Sequence, residues 1–168
     1  MSDRKNDGDQ TKPTTYNVLF VCTGNTCRSP MAEAIARRKV QERGWSHVAV
    51  RSAGVAAVAG APAARNAIAV AAEHGIDLGG HLSQPLTREL VGWADLILTM
   101  GASHLAAVEE LGGPEKAALV TEFADGDVAS AAVPDPFGGD PDTYRRTFRE
   151  LDRIVDAVLA RLEPILSP

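Results

Sequence analysis

The sequence predicts an α/β fold: one three-layer domain with a four-stranded parallel sheet flanked by helices. Three observations carry this prediction. From residue 17 onward, short apolar runs alternate with longer segments of helical periodicity, the pattern that builds βαβ units. Glycine or proline stands at most of the junctions between the two kinds of segment. The chain has 168 residues and 45% hydrophobic content, enough to bury a single substantial core without disulfides or metal.

The run NVLFVCT, Asn17 to Thr23, reads as a buried strand. A helix follows, with Ser29 as N-cap, Pro30 in the first helical position and Gly44 as the stop. Val48 to Gly54 is the second strand, and the alanine-rich stretch from Pro62 to Glu73 is a helix ended by Gly75. Residues Gly75 to Thr87 form a loop closing on Thr87 as a cap. Asp95 to Met100 is the third strand, Ser103 to Gly113 carries a helix with a glycine stop, and Ala117 to Ala124 is the fourth strand. A Pro/Gly loop, VPDPFGGDP, leads into a long closing helix capped by Asp140, with Pro141 first. Four strands in this order resemble a flavodoxin-like sheet, whose ligands bind beyond the carboxyl ends of the strands where the strand order switches.

Composition bounds the rest. Residues 1–15 are polar, with no apolar stretch of export-signal type, and are expected to form a disordered tail before a single domain at 16–168. No apolar run is long enough for a membrane helix, so no membrane partner is expected. A net charge of −5 argues against a nucleic-acid partner. Two cysteines point to a reducing cytoplasm. A C-x4-C pair with four scattered histidines does not make a zinc site, so neither a metal nor a cofactor is expected. The expected assembly is a monomer or weak dimer.

The chemistry concentrates in Cys22-Thr23-Gly24-Asn25-Thr26-Cys27-Arg28-Ser29, the link between the first strand and the first helix. Gly24 accepts positive φ without steric cost, and Asn25 tolerates it better than most residues. A loop of this kind turns backbone N–H groups inward as an anion nest. The helix that follows aims its positive end at the same point, and Arg28 adds a planar fork for two phosphate oxygens. Surroundings that hold a phosphate dianion also favour a thiolate at Cys22, and the hydroxyl of Ser29 can hydrogen-bond that sulfur. A strand-end cysteine more often packs as a small apolar residue; here Gly24, Asn25, Arg28 and Ser29 all agree on the other reading.

This stretch resembles the low-molecular-weight protein tyrosine phosphatase family, whose signature is C-x5-R-S on the first βα loop. The likeness extends through RSAG (Arg51 to Gly54), the loop carrying His81, and DPFGG (Asp135 to Gly139), over residues 17 to 163. It implies hydrolysis of phosphorylated proteins or peptides through a phosphocysteine. Cys22 is then the nucleophile, Thr23 to Ser29 the phosphate cradle, and Asp135 the general acid; Asn25, Ser29, Ser52 and His81 form a supporting network. Asp125, Asp127, Asp140 and Asp142 have turn or cap explanations. The resemblance also implies a reversible Cys22–Cys27 disulfide that shields the nucleophile from over-oxidation.

Aromatic walls are sparse. VAAVAGAPAARN after Gly54 has none, and Phe137 is followed by two glycines where many relatives carry adjacent tyrosines. The loop looks like the protein-arginine phosphatase branch, with Thr26 where tyrosine-specific members tend to have a bulkier aliphatic residue. A hydroxyl can accept a hydrogen bond from a guanidinium, and Phe137 can stack on its plane. Phosphoarginine is therefore favoured over phosphotyrosine. A thioredoxin-linked arsenate reductase would need further cysteines, and none follows Cys27. A non-catalytic phosphate-binding module would have no use for both Cys22 and Asp135.

Overall fold

Strand β1 (Tyr16–Cys22) pairs on one side with β2 (Val48–Gly54) and on the other with β3 (Leu96–Thr99), and β4 (Ala117–Leu119) lies outside β3. All pairs are parallel, giving the order β2-β1-β3-β4. This computed structural model describes residues 15–126 and 132–166. The expected polar tail up to residue 14, and Asp127, lie outside the described residues.

The central strand is buried on both faces, which is why it reads as a continuous apolar run. Its alternate residues serve two cores. Val18, Phe20 and Cys22 face a layer made by α1 (Arg28–Glu42), α2 (Arg65–Glu73) and α6 (Pro141–Leu166). Leu19 and Val21 face Leu90 and Val91 of α3 (Arg88–Trp93) and Val108 of α4 (Ala102–Glu110). A parallel sheet covered on both sides by helices, in the expected flavodoxin-like order, is thus what forms. Helix α6 buries Tyr144, Phe148, Leu151, Ile154, Val158 and Leu162 at spacings of three and four, the stripe of an amphipathic helix. Asp140 caps it, its Oδ1 accepting from the Thr143 amide at 2.9 Å.

Four expectations are corrected. Ser29 is not the N-cap: Cys27 holds that position, Arg28 is already helical and Pro30 is third. Proline is tolerated there because first-turn amides have no intrahelical partner. The alanine-rich helix starts at Arg65 rather than Pro62, because the Ala64 amide is drawn to the carbonyl of Thr26 at 2.8 Å. The fourth strand is only three residues long. Val120–Asp125 form α5 instead, burying Val120 and Thr121 and packing Phe123 and Ala124 on the core, a spacing that suits a helical turn better than a strand. Finally, residues 88–93, given no element in the sequence, form α3, and Thr87 caps it as expected, its Oγ1 accepting from the Leu90 amide at 3.1 Å.

The order β2-β1-β3 places the carboxyl end of β1 between two others, with Cys22 opposite Gly54 and Val21 opposite Thr99. That is the switch point at which the chain leaves the sheet for the Cys22–Arg28 loop.

Candidate active site

The loop is shaped by where its carbonyls go. Cys22 O accepts from the Val55 amide and Thr23 O from the Ala56 amide, both at 2.9 Å. Thr26 O accepts from the Ala64 amide at 2.8 Å, and Cys27 O from the Met31 amide at 3.3 Å. Asn25 O is bound by His81 Nε2 at 2.8 Å. With no cis peptides present among the described residues, each outward carbonyl leaves the next residue's N–H on the opposite side of its peptide plane. The amides of Thr23, Gly24, Thr26, Cys27 and Arg28 therefore turn toward the inside of the loop, as an anion nest requires.

Positive φ falls on Asn25, at 57°, and not on Gly24. The side chain explains why a non-glycine residue can hold it. Asn25 Oδ1 accepts from the Gln84 amide at 2.9 Å, and Nδ2 donates to Ser29 Oγ at 2.8 Å and Ser52 Oγ at 2.9 Å. Since Ser29 Oγ accepts a hydrogen bond from Asn25 Nδ2, its own hydroxyl is free to donate to Cys22 Sγ, 2.8 Å away. The Asn25 amide also donates to that sulfur, at 3.3 Å. Two donors on one sulfur suit a thiolate. Ser52 Oγ in turn donates a hydrogen bond to Glu33 Oε1, and Glu33 pairs with Arg37 at 2.7 Å.

A cleft of about 230 Å³ opens over the loop, lined by Cys22, Thr23, Gly24, Thr26, Cys27, Arg28, Asp135 and Phe137. Asn25 and Ser29 are fully buried behind it, with Ser52 and His81 behind them. Arg28 is 6% exposed. Its Nη1 donates to Val133 O at 3.0 Å and its Nη2 to Thr23 Oγ1 at 3.4 Å, and Nη2 lies 3.5 Å from Asp135 Oδ2. Its Nε is buried with no hydrogen-bond partner, a costly state for a charged donor unless a ligand supplies an acceptor. Asp135 Oδ1 accepts from the Phe137 amide at 3.1 Å, so the Asp-Pro turn aims the other oxygen at the guanidinium.

Cys22 and Cys27 are both buried, and neither is in a disulfide. Burial pushes the Cys27 thiol up, and the phenol of Tyr144, 3.3 Å from its sulfur, is pushed up by burial and by that thiol. Thr26 Oγ1 has only a 3.8 Å contact with Cys27 Sγ. No group of metal-ligating side chains is found among the described residues, and no described helix is long and apolar enough to cross a membrane. Larger clefts exist, including one of about 670 Å³ lined by Arg37, Arg51 and His81, but it contains no cysteine.

Several participants escape a reading of the sequence. Gln84, Glu33, Tyr144 and the carbonyl of Val133 join the site from distant segments and carry no local signal. His104 carries a partial one. It stands three residues after the helix-start Gly101 and accepts its amide on Nδ1 at 3.0 Å, half of a capping box with histidine in the glutamate's place. Its Nε2 lies 2.9 Å from Thr23 Oγ1. Burial and then the charge of Arg28 hold this imidazole below its ordinary value, with Asp135 opposing.

Comparison with known proteins places this geometry in context. The family model described as low molecular weight phosphotyrosine protein phosphatase matches residues 17–165. A protein-arginine-phosphatase of Bacillus subtilis is 40% identical over 149 residues, covering 88% of this chain and 97% of that protein. The low molecular weight protein-tyrosine-phosphatase Wzb of Escherichia coli is 38% identical over 137 residues, covering 82% and 88%. Among solved structures, a YwlE arginine phosphatase mutant with a phosphorylated active-site serine superposes with a TM-score of 0.83 at 38% identity, covering 88% of this chain and 95% of that one.

Proposed function

The chain belongs to the low-molecular-weight phosphotyrosine protein phosphatase family, and from that premise we propose that it hydrolyses phosphorylated protein side chains through a phosphocysteine, with protein phosphoarginine as the favoured substrate. One observation carries the reading: a sulfur holding two donors, a buried guanidinium with an unpartnered Nε, and a carboxylate share one small cleft at a strand-order switch.

The nest and Arg28 receive the phosphoryl oxygens, and Arg28 Nε gains its acceptor. A phosphoryl group seated on the guanidinium takes the place of Asp135, leaving that carboxyl beside the leaving atom. The Cys22 thiolate attacks phosphorus, the P–N bond of phosphoarginine breaks, and Asp135 gives its proton to the departing guanidine nitrogen. Water then attacks the phosphocysteine with its proton passing to Asp135. The S–P bond breaks, inorganic phosphate leaves, and Ser29 and the Asn25 amide stabilise the returning thiolate. Each intermediate charge meets a fixed donor rather than mobile water.

The arginine preference is supported at Thr26 and Phe137. Thr26 lines the cleft with lone pairs free to accept from a guanidinium, and Phe137, 76% exposed at the rim, offers a face to stack on it. Relatives named for arginine and for tyrosine phosphatase activity match at similar identity, so phosphotyrosine is the second reading. The test is kcat/KM on matched phosphoarginine and phosphotyrosine peptides, for the wild type and Thr26→Ile. The wild type is expected to prefer phosphoarginine, and the variant to lose roughly tenfold on it while gaining relative rate on aryl phosphate. A proportional fall on both substrates overturns the specificity. Cys22→Ser should abolish turnover of p-nitrophenyl phosphate, and retained turnover overturns the cysteine mechanism.

A further inference from the structure

His104 belongs to none of the motifs that carry the resemblance and does not line the cleft, yet from its place on α4 it is wired into the loop. Its two ring nitrogens have distinct partners. The Gly101 amide can only donate, so Nδ1, 3.0 Å away, must present a lone pair. In the neutral ring the proton then sits on Nε2, which donates to Thr23 Oγ1 at 2.9 Å. Arg28 Nη2, which also can only donate, reaches the same oxygen from 3.4 Å. Thr23 Oγ1 therefore has both lone pairs occupied by protein donors. Its O–H bond takes the remaining tetrahedral direction, and Thr23 is an exposed residue lining the cleft.

We infer that His104 is a positioning residue that converts the Thr23 hydroxyl into a dedicated donor aimed at a phosphoryl oxygen. The inference rests on the phosphatase reading above and divides labour between the two threonines of the loop. Thr23, saturated with donors, can give a hydrogen bond but not accept one, which suits the anionic phosphoryl group. Thr26, without such donors, can accept from the leaving guanidinium. Without His104 the Thr23 hydroxyl can rotate and compete as an acceptor, so its contact with the phosphoryl group is no longer fixed in advance. The groups that face the imidazole are Arg28 and Asp135, the first opposing its protonation and the second favouring it.

The experiment combines spectroscopy, kinetics and vanadate binding. In the wild type at pH 7, 15N NMR of His104 should show a neutral ring with its proton on Nε2. His104→Leu should lower kcat roughly tenfold, the scale of one oriented hydrogen bond to a charged group, with KM changed less than about twofold. His104→Gln, whose amide can reach the same hydroxyl, should recover most of that loss. Thr23→Val should fall as far as His104→Leu, and the double variant no further. Vanadate, which adopts the five-coordinate geometry of phosphoryl transfer on a thiolate, should bind roughly tenfold more weakly to His104→Leu. Because vanadate binding needs no turnover, inactivity on every phosphopeptide with this pattern intact would overturn the phosphatase reading and leave the role of His104 standing. An imidazolium or an Nδ1–H ring at pH 7, or losses that multiply in the double variant, overturns the inference itself.

Discussion

Asp135 shows how little separates a turn residue from an acid. One carboxylate oxygen caps the Phe137 amide, as in any Asp-Pro turn, while the other reaches Arg28. If its role is to protonate the leaving group, its value must depend on how badly that group needs a proton. Asp135→Asn keeps the shape and the turn and removes the transferable proton. The expected result is a 10²–10⁴-fold fall in kcat/KM on phosphopeptides, a ratio that reports the step in which the leaving group departs and not the later hydrolysis of the phosphocysteine, but a much smaller fall in kcat/KM on p-nitrophenyl phosphate, whose phenolate leaves readily unprotonated. Equal losses on both substrates would reduce Asp135 to a structural role. The loop residues themselves were legible in sequence because local rules govern them: only a few side chains suit a tight anion nest. The placement of positive φ was not. It fell on Asn25 because hydrogen bonds fix that side chain: Nδ2 donates to Ser29 and Ser52 and Oδ1 accepts from the Gln84 amide, and Ser52 and Gln84 are far from it in sequence.

At the scale of elements, β2 and the loop after β1 meet backbone to backbone. A Cβ at Gly54 would lie 2.5 Å from Thr23 O and 2.9 Å from Asn25 N, and neither of those atoms can swing away. Gly54 has ordinary extended backbone in β2, so the requirement is close approach rather than conformation. Gly54→Ala should displace the loop, lowering kcat/KM at least tenfold and weakening vanadate binding while circular dichroism stays that of the wild type. An alanine variant with wild-type kinetics would show the loop to be more pliable than its hydrogen bonds imply. The RSAG segment was recognisable in sequence, but the reason for its glycine was not, since the contact joins residues 54 and 23. The fourth strand failed for a different reason: AALVTEFA satisfies strand and helix patterns alike, and packing of Phe123 and Ala124 on the core decided it.

Across the whole molecule, α6 closes one face of the sheet and is held by its apolar stripe. Ion pairs frame it: Lys39 to Asp152 at 3.1 Å and to Asp156 at 3.0 Å, Arg145 to Glu73 at 2.8 Å, and Arg153 to Asp125 at 3.0 Å. Such exposed and half-exposed pairs are screened by solvent and each adds little, so the core dominates. The pH dependence of stability has a more specific source in His104. Folding lowers its affinity for a proton from the ordinary value of 6.5, mainly by burial and secondly through Arg28, so the unfolded chain binds that proton more readily. Its contribution to stability is complete above about pH 6.5 and is lost as pH falls below that toward the folded value, at up to about 1.4 kcal/mol per pH unit. Urea denaturation at pH 7.5 and pH 5.5 should show a smaller difference for His104→Gln than for the wild type. Equal differences would mean that His104 titrates alike in both states.

The sequence by itself determined the parallel sheet, its four strands in chain order and the identity of the Cys22–Arg28 loop, but not the short helices α3 and α5, because apolar periodicity, glycine and proline punctuation and a short motif act between near neighbours in the chain. Only the tertiary structure decided which carbonyls are pinned outward, which proton each hydroxyl gives, and that His104, Gln84, Glu33 and Val133 stand behind the site. Those are contacts between residues far apart in sequence, and a hydrogen bond leaves no trace in composition until the sheet has brought its two ends within 3 Å or so.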